Sequence, residues 1–361
     1  MVASYVTDIP VISSLEEMGW NEQLEENFSA FVGPYNAGRV SAAQRTHYDV
    51  MLPNRVVSAP ISGALKKIRK YPVVGDFVVL LENLKTDSLV IVAILPRRTT
   101  LTRGGAGESS GEQILAANID YAFIITDTGP DFNISRLERY LMIVHTSGAQ
   151  PVVLLNKADL TDDLSPVWEE ISDLDKNLPV FVISALKKNG LSNLQPYLQK
   201  GMTVVCIGSS GVGKSTLINA LTGSDLQKTS DIRENDGKGK HTTTVRELYP
   251  LPSGALIIDT PGLREIRIWT ASDSLDEVYG DIQMYAKECR FSNCHHLTEP
   301  GCAVQKAIVD GELSEEKFKR YQKIAKELAF ESDKAEIGLK RFEKKKFMGM
   351  RNMARENREW K

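Results

Sequence analysis

"MTVVCIGSSGVGKSTLINALTG" (202–223) decides the fold. Residues 203–207 form an apolar run suited to a buried strand, and 214–222 read as a helix. Between them Gly208-Ser209-Ser210-Gly211-Val212-Gly213-Lys214-Ser215 matches G-x-x-x-x-G-K-[ST] in full, in the strand–loop–helix setting that motif requires. The glycines let the backbone curl so that its N–H groups face phosphate oxygens, and the helix N-terminus adds its positive end. Lys214 is placed to reach the β- and γ-phosphates, and the Ser215 hydroxyl to hold Mg²⁺, with Thr216 next in the same turn.

Upstream, "PVVLLNKAD" (151–159) is an apolar strand ending in N-K-x-D. Guanine presents two adjacent donors, which one fixed carboxylate can accept and adenine cannot match. Asp159 is therefore the expected base reader, Asn156 the brace of its loop, Lys157 a stem against the base, and Ala158 part of the same loop. The next strand, "PVFVISA", ends in Ser184 and Ala185, which resemble a second base-contacting loop of GTPases. Downstream, "GALIIDTPG" offers Asp259 for Mg²⁺ and the Gly262 N–H as a γ-phosphate sensor. The polar stretch 231–244 supplies Thr242 and Thr243 as candidate Mg²⁺ ligands, Thr243 preferred, and His241 as a candidate for orienting water.

The base loops thus precede the phosphate loop, the reverse of the usual order. Apolar strands alternate with helices from Tyr121 onward, "GLSNLQPYLQ" (190–199) among the expected helices, which predicts a parallel sheet covered on both faces. Such a sheet gathers its loops at the carboxyl edge whatever the chain order. A circularly permuted GTPase domain with bound Mg²⁺·GTP therefore accounts for the pattern. Leu263 and Arg264 follow Gly262 where many GTPases carry a Gln, so slow unassisted hydrolysis is expected. Gly211 stands where potassium-using GTPases carry Asn, so no potassium dependence is expected. An N-K-x-D loop argues against a P-loop kinase of small metabolites.

The flanks differ in character. Residues 39–103 hold short β-rich runs punctuated by Pro, Gly and Asn, which suggests a small barrel. Its length suits a five-stranded oligonucleotide-binding barrel, and a plain β-module fits equally well. A Gly/Ser-rich linker follows at 102–113. Cys289-x4-Cys294-x-His296-x5-Cys302 offers a closed Cys₃His set suited to one structural Zn²⁺, with His295 a second-ranked ligand. Cys206, inside a strand, reads as core. No Lys or Arg precedes Arg39, while residues 338–361 carry nine Lys/Arg against three Glu. The net charge of −3 gives no general case for nucleic-acid binding, and the basic tail gives a local one. Arg39, Arg45, Arg55, Lys66, Lys67, Arg69 and Lys70, with Lys344, Lys345, Lys346 and Arg351 of the tail, are candidate RNA contacts. No apolar run approaches the roughly 18 residues of a membrane span, and the start lacks a signal-peptide pattern, so a cytoplasmic, membrane-free protein is expected.

The order NKAD, SA, GSSGVGKS, HTTT, DTPG, then C-x4-C-x-H-x5-C resembles the ribosome-biogenesis GTPases of the RsgA (YjeQ/YloQ) family, as do "YPVVGDFV" and "ILAANIDYAFII". The likeness runs from about Arg39 to Asp310. It implies a multidomain chain: an acidic arm over 1–37, an OB-like β-barrel over 38–103, an α/β circularly permuted P-loop GTPase over 112–270, and a zinc-binding helical module with a basic tail over 271–361. It further implies binding to the small (30S) ribosomal subunit and its rRNA late in assembly, with hydrolysis of GTP to GDP stimulated by that subunit. A monomer is expected. The competing reading is a GTP-gated RNA or protein binder with incidental turnover.

Overall fold

The computed structural model describes residues 10–83, 88–103, 113–129, 132–172, 174, 177–224, 246–260 and 272–330. They fall into two compact units, residues 10–260 and residues 272–330.

The first unit opens with a 3-10 turn, Glu16–Met18, and helix α1 (Glu22–Ser29). Asn21 caps α1, its Oδ1 accepting the Leu24 N–H at 3.0 Å. Met18, Trp20 and Leu24 are buried while Glu22, Glu25 and Glu26 stay exposed. Trp20 meets Phe28 and Phe77 edge-on, with centroids 6.0 and 5.4 Å away. The acidic segment is therefore docked by its apolar residues.

Strands β1 (Tyr35–Ala43), β2 (Tyr48–Leu52) and β3 (Arg55–Ala59) form an antiparallel meander. After a short helix α2 (Gly63–Lys67), β4 (Phe77–Asn83) pairs with β1, and β5 (Ser88–Ile94) with β4. A parallel bridge, Ile61 to Ile91, joins the segment after β3 to β5 and closes a ring of pairings around Val40, Val50, Leu80 and Ile91. The chain then makes a hairpin, β6 (Thr100–Arg103) with β7 (Gln113–Ala117). The linker expected over 102–113 is thus strand at both its ends.

The remaining elements alternate: β8 (Tyr121–Asp127), α3 (Ile134–Ser147), β9 (Gln150–Asn156), α4 (Ser165–Ser172), β10 (Val180–Val182), β11 (Thr203–Gly208), α5 (Lys214–Thr222), β12 (Glu247–Pro250) and β13 (Leu256–Asp259). Strands β10, β9, β8, β11 and β13 are parallel neighbours in that order, and β12 closes the row antiparallel to β13. Residues Val152–Leu155 and Val204–Ile207 are at most 1% exposed, which explains why these strands read as unbroken apolar runs. Each such side chain contributes about 1.5–3 kcal/mol of burial energy. The stretch 190–199, expected as a helix, forms only 3-10 turns over Leu191–Tyr197, because Pro196 lies inside it and has no N–H to give.

The two parts of this unit share one hydrogen-bonded sheet, since β1 pairs antiparallel with β12, Ala42 opposite Glu247. Arg39 of β1 joins them a second time. It is 1% exposed, and its guanidinium donates to the carbonyls of Met18 (2.5 Å), Gly75 (3.1 Å) and Asn118 (2.8 Å) and to Thr203 Oγ1 (2.7 Å). It also lies over the Phe77 ring at 4.8 Å. Burial pushes its pKa down to about 10. Arg39 therefore cannot contact RNA, contrary to the expectation from sequence: it sits on a buried position of β1, where four of its N–H groups are taken by protein acceptors.

The second unit contains α6 (Ser272–Val278), α7 (Gly280–Ala286), α8 (Ala303–Val309) and a helix over 315–330, α9. Tyr279, Ile282, Val304, Phe318 and Ile324 are buried. Phe318 stacks on Tyr321, which meets Tyr279 edge-on at 5.5 Å. Lys317, 3% exposed, is neutralised by Asp281 at 2.7 Å. Among the described residues, no helix is long and apolar enough to cross a membrane.

Candidate nucleotide site and metal cluster

The carboxyl ends of the parallel strands bring the sequence motifs together. Register fixes this: Asp127 lies opposite Asn156, Ile125 opposite Gly208, and Cys206 opposite Asp259. The phosphate loop leaves β11 at Gly208 (φ +152°), where a Cβ would lie 2.4 Å from the Ile125 carbonyl oxygen. At Gly213 (φ +100°) a Cβ would lie 2.3 Å from Asn156 Nδ2. These two positions need glycine for both conformation and space.

Asn156 is the centre of the arrangement. It is 2% exposed, donates through Nδ2 to the Val212 carbonyl at 2.8 Å, and accepts the Ala185 N–H on Oδ1 at 2.9 Å. One side chain thus clamps the N-K-x-D loop, the phosphate loop and the Ser184-Ala185 loop, which are far apart in sequence. Ser184 Oγ donates to Asp159 Oδ1 at 2.5 Å and accepts the Lys187 N–H at 3.1 Å. Asp159 itself is exposed, and the Ala158 N–H reaches the Ile183 carbonyl at 3.2 Å.

Lys214 opens α5 and its ammonium donates to the carbonyls of Gly208 (2.8 Å) and Ser209 (2.5 Å). Ser215 and Thr216 follow in the first turn, and the N-cap position is Gly213, which has no side chain to cap with. Ser210 and Gly211 lie exposed at the loop tip, and Val212 is buried beneath it. Asp259 ends β13, 5% exposed; burial raises its pKa, and the nearby Lys214 ammonium partly offsets this. Thr260 Oγ1 donates to the Cys206 carbonyl at 2.7 Å. Cys206 is fully buried, which raises its thiol pKa, so it is core as read from sequence. His241, Thr242, Thr243 and Gly262 lie outside the described residues.

Sequence reasoning missed Asp127 and Thr128. Asp127 Oδ2 lies 2.7 Å from Lys157 Nζ, its Oδ1 accepts the Gly129 N–H at 2.6 Å, and Thr128 Oγ1 donates to the Lys157 carbonyl at 3.2 Å. The available signal was a polar Asp-Thr-Gly directly ending an apolar strand.

In the second unit, one ligand atom from each of Cys289, Cys294, His296 and Cys302 lies within 4.8 Å of all the others. His296 Nδ1 is 3.5 Å from the sulfurs of Cys289 and Cys302, and those sulfurs are 3.9 Å apart. Zn–S bonds of about 2.3 Å and Zn–N bonds of about 2.0 Å on a tetrahedron give S···N edges of about 3.5 Å and S···S edges of about 3.8 Å. The three edges among Cys289, His296 and Cys302 match that geometry, and with Cys294 within 4.8 Å the four groups could hold a metal ion. His296 adopts φ +57° to turn its ring inward, and Gln305 Nε2 holds its carbonyl at 2.8 Å. Burial pushes the Cys289 thiol up, but the Val304 and Ala303 N–H groups together with the Cys302 and Cys294 thiols outweigh it and leave the pKa lowered. Burial first, then the neighbouring thiols, raises Cys294 to about 11.

The sheet order, the loops at its carboxyl edge and their inverted order in the chain define a circularly permuted P-loop GTPase. The family model described as RsgA GTPase matches residues 94–269. A protein of Methanosarcina acetivorans named small ribosomal subunit biogenesis GTPase RsgA is 54% identical over 92% of this chain and 90% of its own. A Listeria innocua protein of that name, RsgA 1, is 41% identical over 91% and 94%. Two solved structures, YjeQ from Thermotoga maritima and YloQ, titled a circularly permuted GTPase, superpose with TM-scores of 0.61 and 0.60. Each is 26% identical and covers 82% of this chain, matching 99% and 95% of its own length. The chain belongs to the RsgA GTPase family.

Proposed function

We propose that the chain binds Mg²⁺·GTP at the rim described above, hydrolyses it to GDP and phosphate, and couples hydrolysis to late assembly of the small ribosomal subunit. The observation that carries this reading is Asn156, whose side chain joins the N-K-x-D loop to the G-x-x-x-x-G-K-S loop and to Ala185. The names of the relatives supply the ribosomal partner.

In this reading Asp159 accepts both guanine donors, Lys157 lies against the base, and Ser184 and Ala185 support the same edge. The N–H groups from Gly208 to Thr216 surround the phosphates, and Lys214 exchanges its two loop carbonyls for β- and γ-oxygens. Ser215, Asp259 and Thr243 would hold Mg²⁺, which supplies charge neutralisation on the phosphates. Gly262 and His241 are the proposed γ-phosphate sensor and water-orienting residue. The Cys₃His cluster would hold a structural Zn²⁺, since no coordination position is left open for chemistry.

Boundaries near 38, 103, 112 and 271 remain the proposed domain divisions, with β1–β5 an oligonucleotide-binding-type barrel. Lys66, Lys67, Arg69 and Lys70 are exposed, and no acidic residue occurs from Pro60 to Gly75. Ile68 and Tyr71 among them are 66% and 52% exposed. Cations for phosphates beside an aromatic face suit RNA. Arg45 and Arg55, also exposed, are further candidates; the basic tail lies outside the described residues. The proposed setting is the cytoplasm.

The test is the steady-state GTPase rate with and without purified small subunits. The proposal expects stimulation of at least about tenfold, of the kind that an activating partner provides. An unchanged rate contradicts it.

A further inference from the structure

We infer that Asp127 is a positioning residue for nucleotide binding, acting through Lys157. The inference rests on the proposed guanine site and assigns a role to a residue outside the nucleotide-binding motifs. Lys157 occupies the left-handed region (φ +64°) at the turn between β9 and the 3-10 turn Ala158–Leu160. A lysine there has a costly backbone and a long side chain with many rotamers. Its geometry is nevertheless fixed at two points, and the peptide before it at a third. Asp127 Oδ2 holds the ammonium at 2.7 Å, Thr128 Oγ1 holds the carbonyl at 3.2 Å, and the Thr128 N–H holds the Asn156 carbonyl at 3.2 Å. Thr128 Oγ1 also meets Thr161 Oγ1 at 3.0 Å, on the far side of the same loop.

Asp127 is fixed in turn. It lies opposite Asn156 in the sheet, and the Gly129 N–H occupies its other oxygen at 2.6 Å. Its side chain is 13% exposed and that of Lys157 30%. An ion pair this open to water contributes little to folding. Its effect is to immobilise the lysine before ligand arrives, so that less ordering is left to the binding step. Because Lys157 is proposed to lie against the base, which GDP and GTP share, the benefit should be equal for both.

The test is a double-mutant cycle of Asp127→Asn and Lys157→Ala in the full chain, read as Kd for GDP and for a non-hydrolysable GTP analogue. Asn is nearly isosteric and can still accept the Gly129 N–H, so the fold is expected to persist, with Tm as the check. Asp127→Asn should weaken both nucleotides about five- to tenfold and leave their ratio unchanged. In the Lys157→Ala background the same change should alter Kd less than about twofold, because the group it positions is gone. Equal effects in both backgrounds would overturn the inference, as would a change confined to one nucleotide or to Tm. If Lys157→Ala alone leaves both Kd values unchanged, the proposed placement of Lys157 against the base falls and this inference with it. That outcome is distinct from failure of Asp127→Asn alone.

Discussion

Replacing Arg39 by Met removes a buried cation that four protein acceptors surround, and the structure sets the size of the effect. The carbonyls of Met18, Gly75 and Asn118 and the Thr203 hydroxyl each lose a bond to a charged donor, worth about 1.5 kcal/mol apiece. The gross loss is roughly 6 kcal/mol. Against it, the charge no longer has to be held out of water, a cost visible in the pKa pushed down to about 10 and amounting to roughly 3 kcal/mol. Methionine keeps apolar contact with Phe77. The net destabilisation is about 3 kcal/mol, which in a unit of this size lowers Tm by roughly 10 °C. Differential scanning calorimetry of Arg39→Met reads this directly, with the exposed Arg45→Met as a control expected to stay within about 0.5 kcal/mol of the parent. Arg39→Lys keeps the charge but not the planar fork, so it should recover less than half of the loss. A Tm within about 2 °C of the parent for Arg39→Met would refute the reasoning.

Other outcomes follow from the same geometry. Asn156→Ala removes both clamping bonds, each worth about 1–1.5 kcal/mol, and should weaken GDP binding roughly 30-fold in a fluorescent-nucleotide titration; a change below twofold would contradict the clamp. Burial raises the Asp259 pKa above that of the unfolded chain, so its charge opposes folding at neutral pH, and the nucleotide-free protein gains stability as pH falls through the raised value. Asp259→Asn should therefore raise Tm of the nucleotide-free protein at pH 8 while weakening Mg²⁺-dependent GTP binding; a lower Tm would count against the buried charge. Removing metal with a strong chelator, or replacing Cys294 by Ser, should unfold the 272–330 unit and reduce helical circular dichroism, because a structural zinc site supplies on the order of 10 kcal/mol. Unchanged dichroism and no released metal would contradict the zinc assignment.

The loops at the carboxyl edge of the sheet were legible because their signals are local. A glycine-rich loop between an apolar strand and a helix, and N-K-x-D after another strand, each carry their own geometry. A parallel sheet then does the assembly. The Cys₃His cluster was legible by spacing alone, and the structure brings its four groups within 4.8 Å of one another. Arg39 was not, because a cation in a β-rich segment looks the same whether its face turns to solvent or to core. Its acceptors come from residues 18, 75, 118 and 203, which no window of sequence brings together. Asp127 was hidden for a similar reason: its partner Lys157 is thirty residues on and becomes a neighbour only through the β8–β9 register. The helix expected over 190–199 fails on Pro196, a local signal that competes with the apolar spacing around it.

The most direct test of the account is the nucleotide preference of Asp159→Asn. The parent chain should bind GTP over xanthosine triphosphate by roughly 100-fold or more, because the carboxylate accepts two guanine donors that xanthine does not both offer. In the Asp159→Asn variant the preference should reverse in favour of xanthosine triphosphate. If the variant still selects GTP, Asp159 does not read the base, and the single-rim site assembled around Asn156 is wrong.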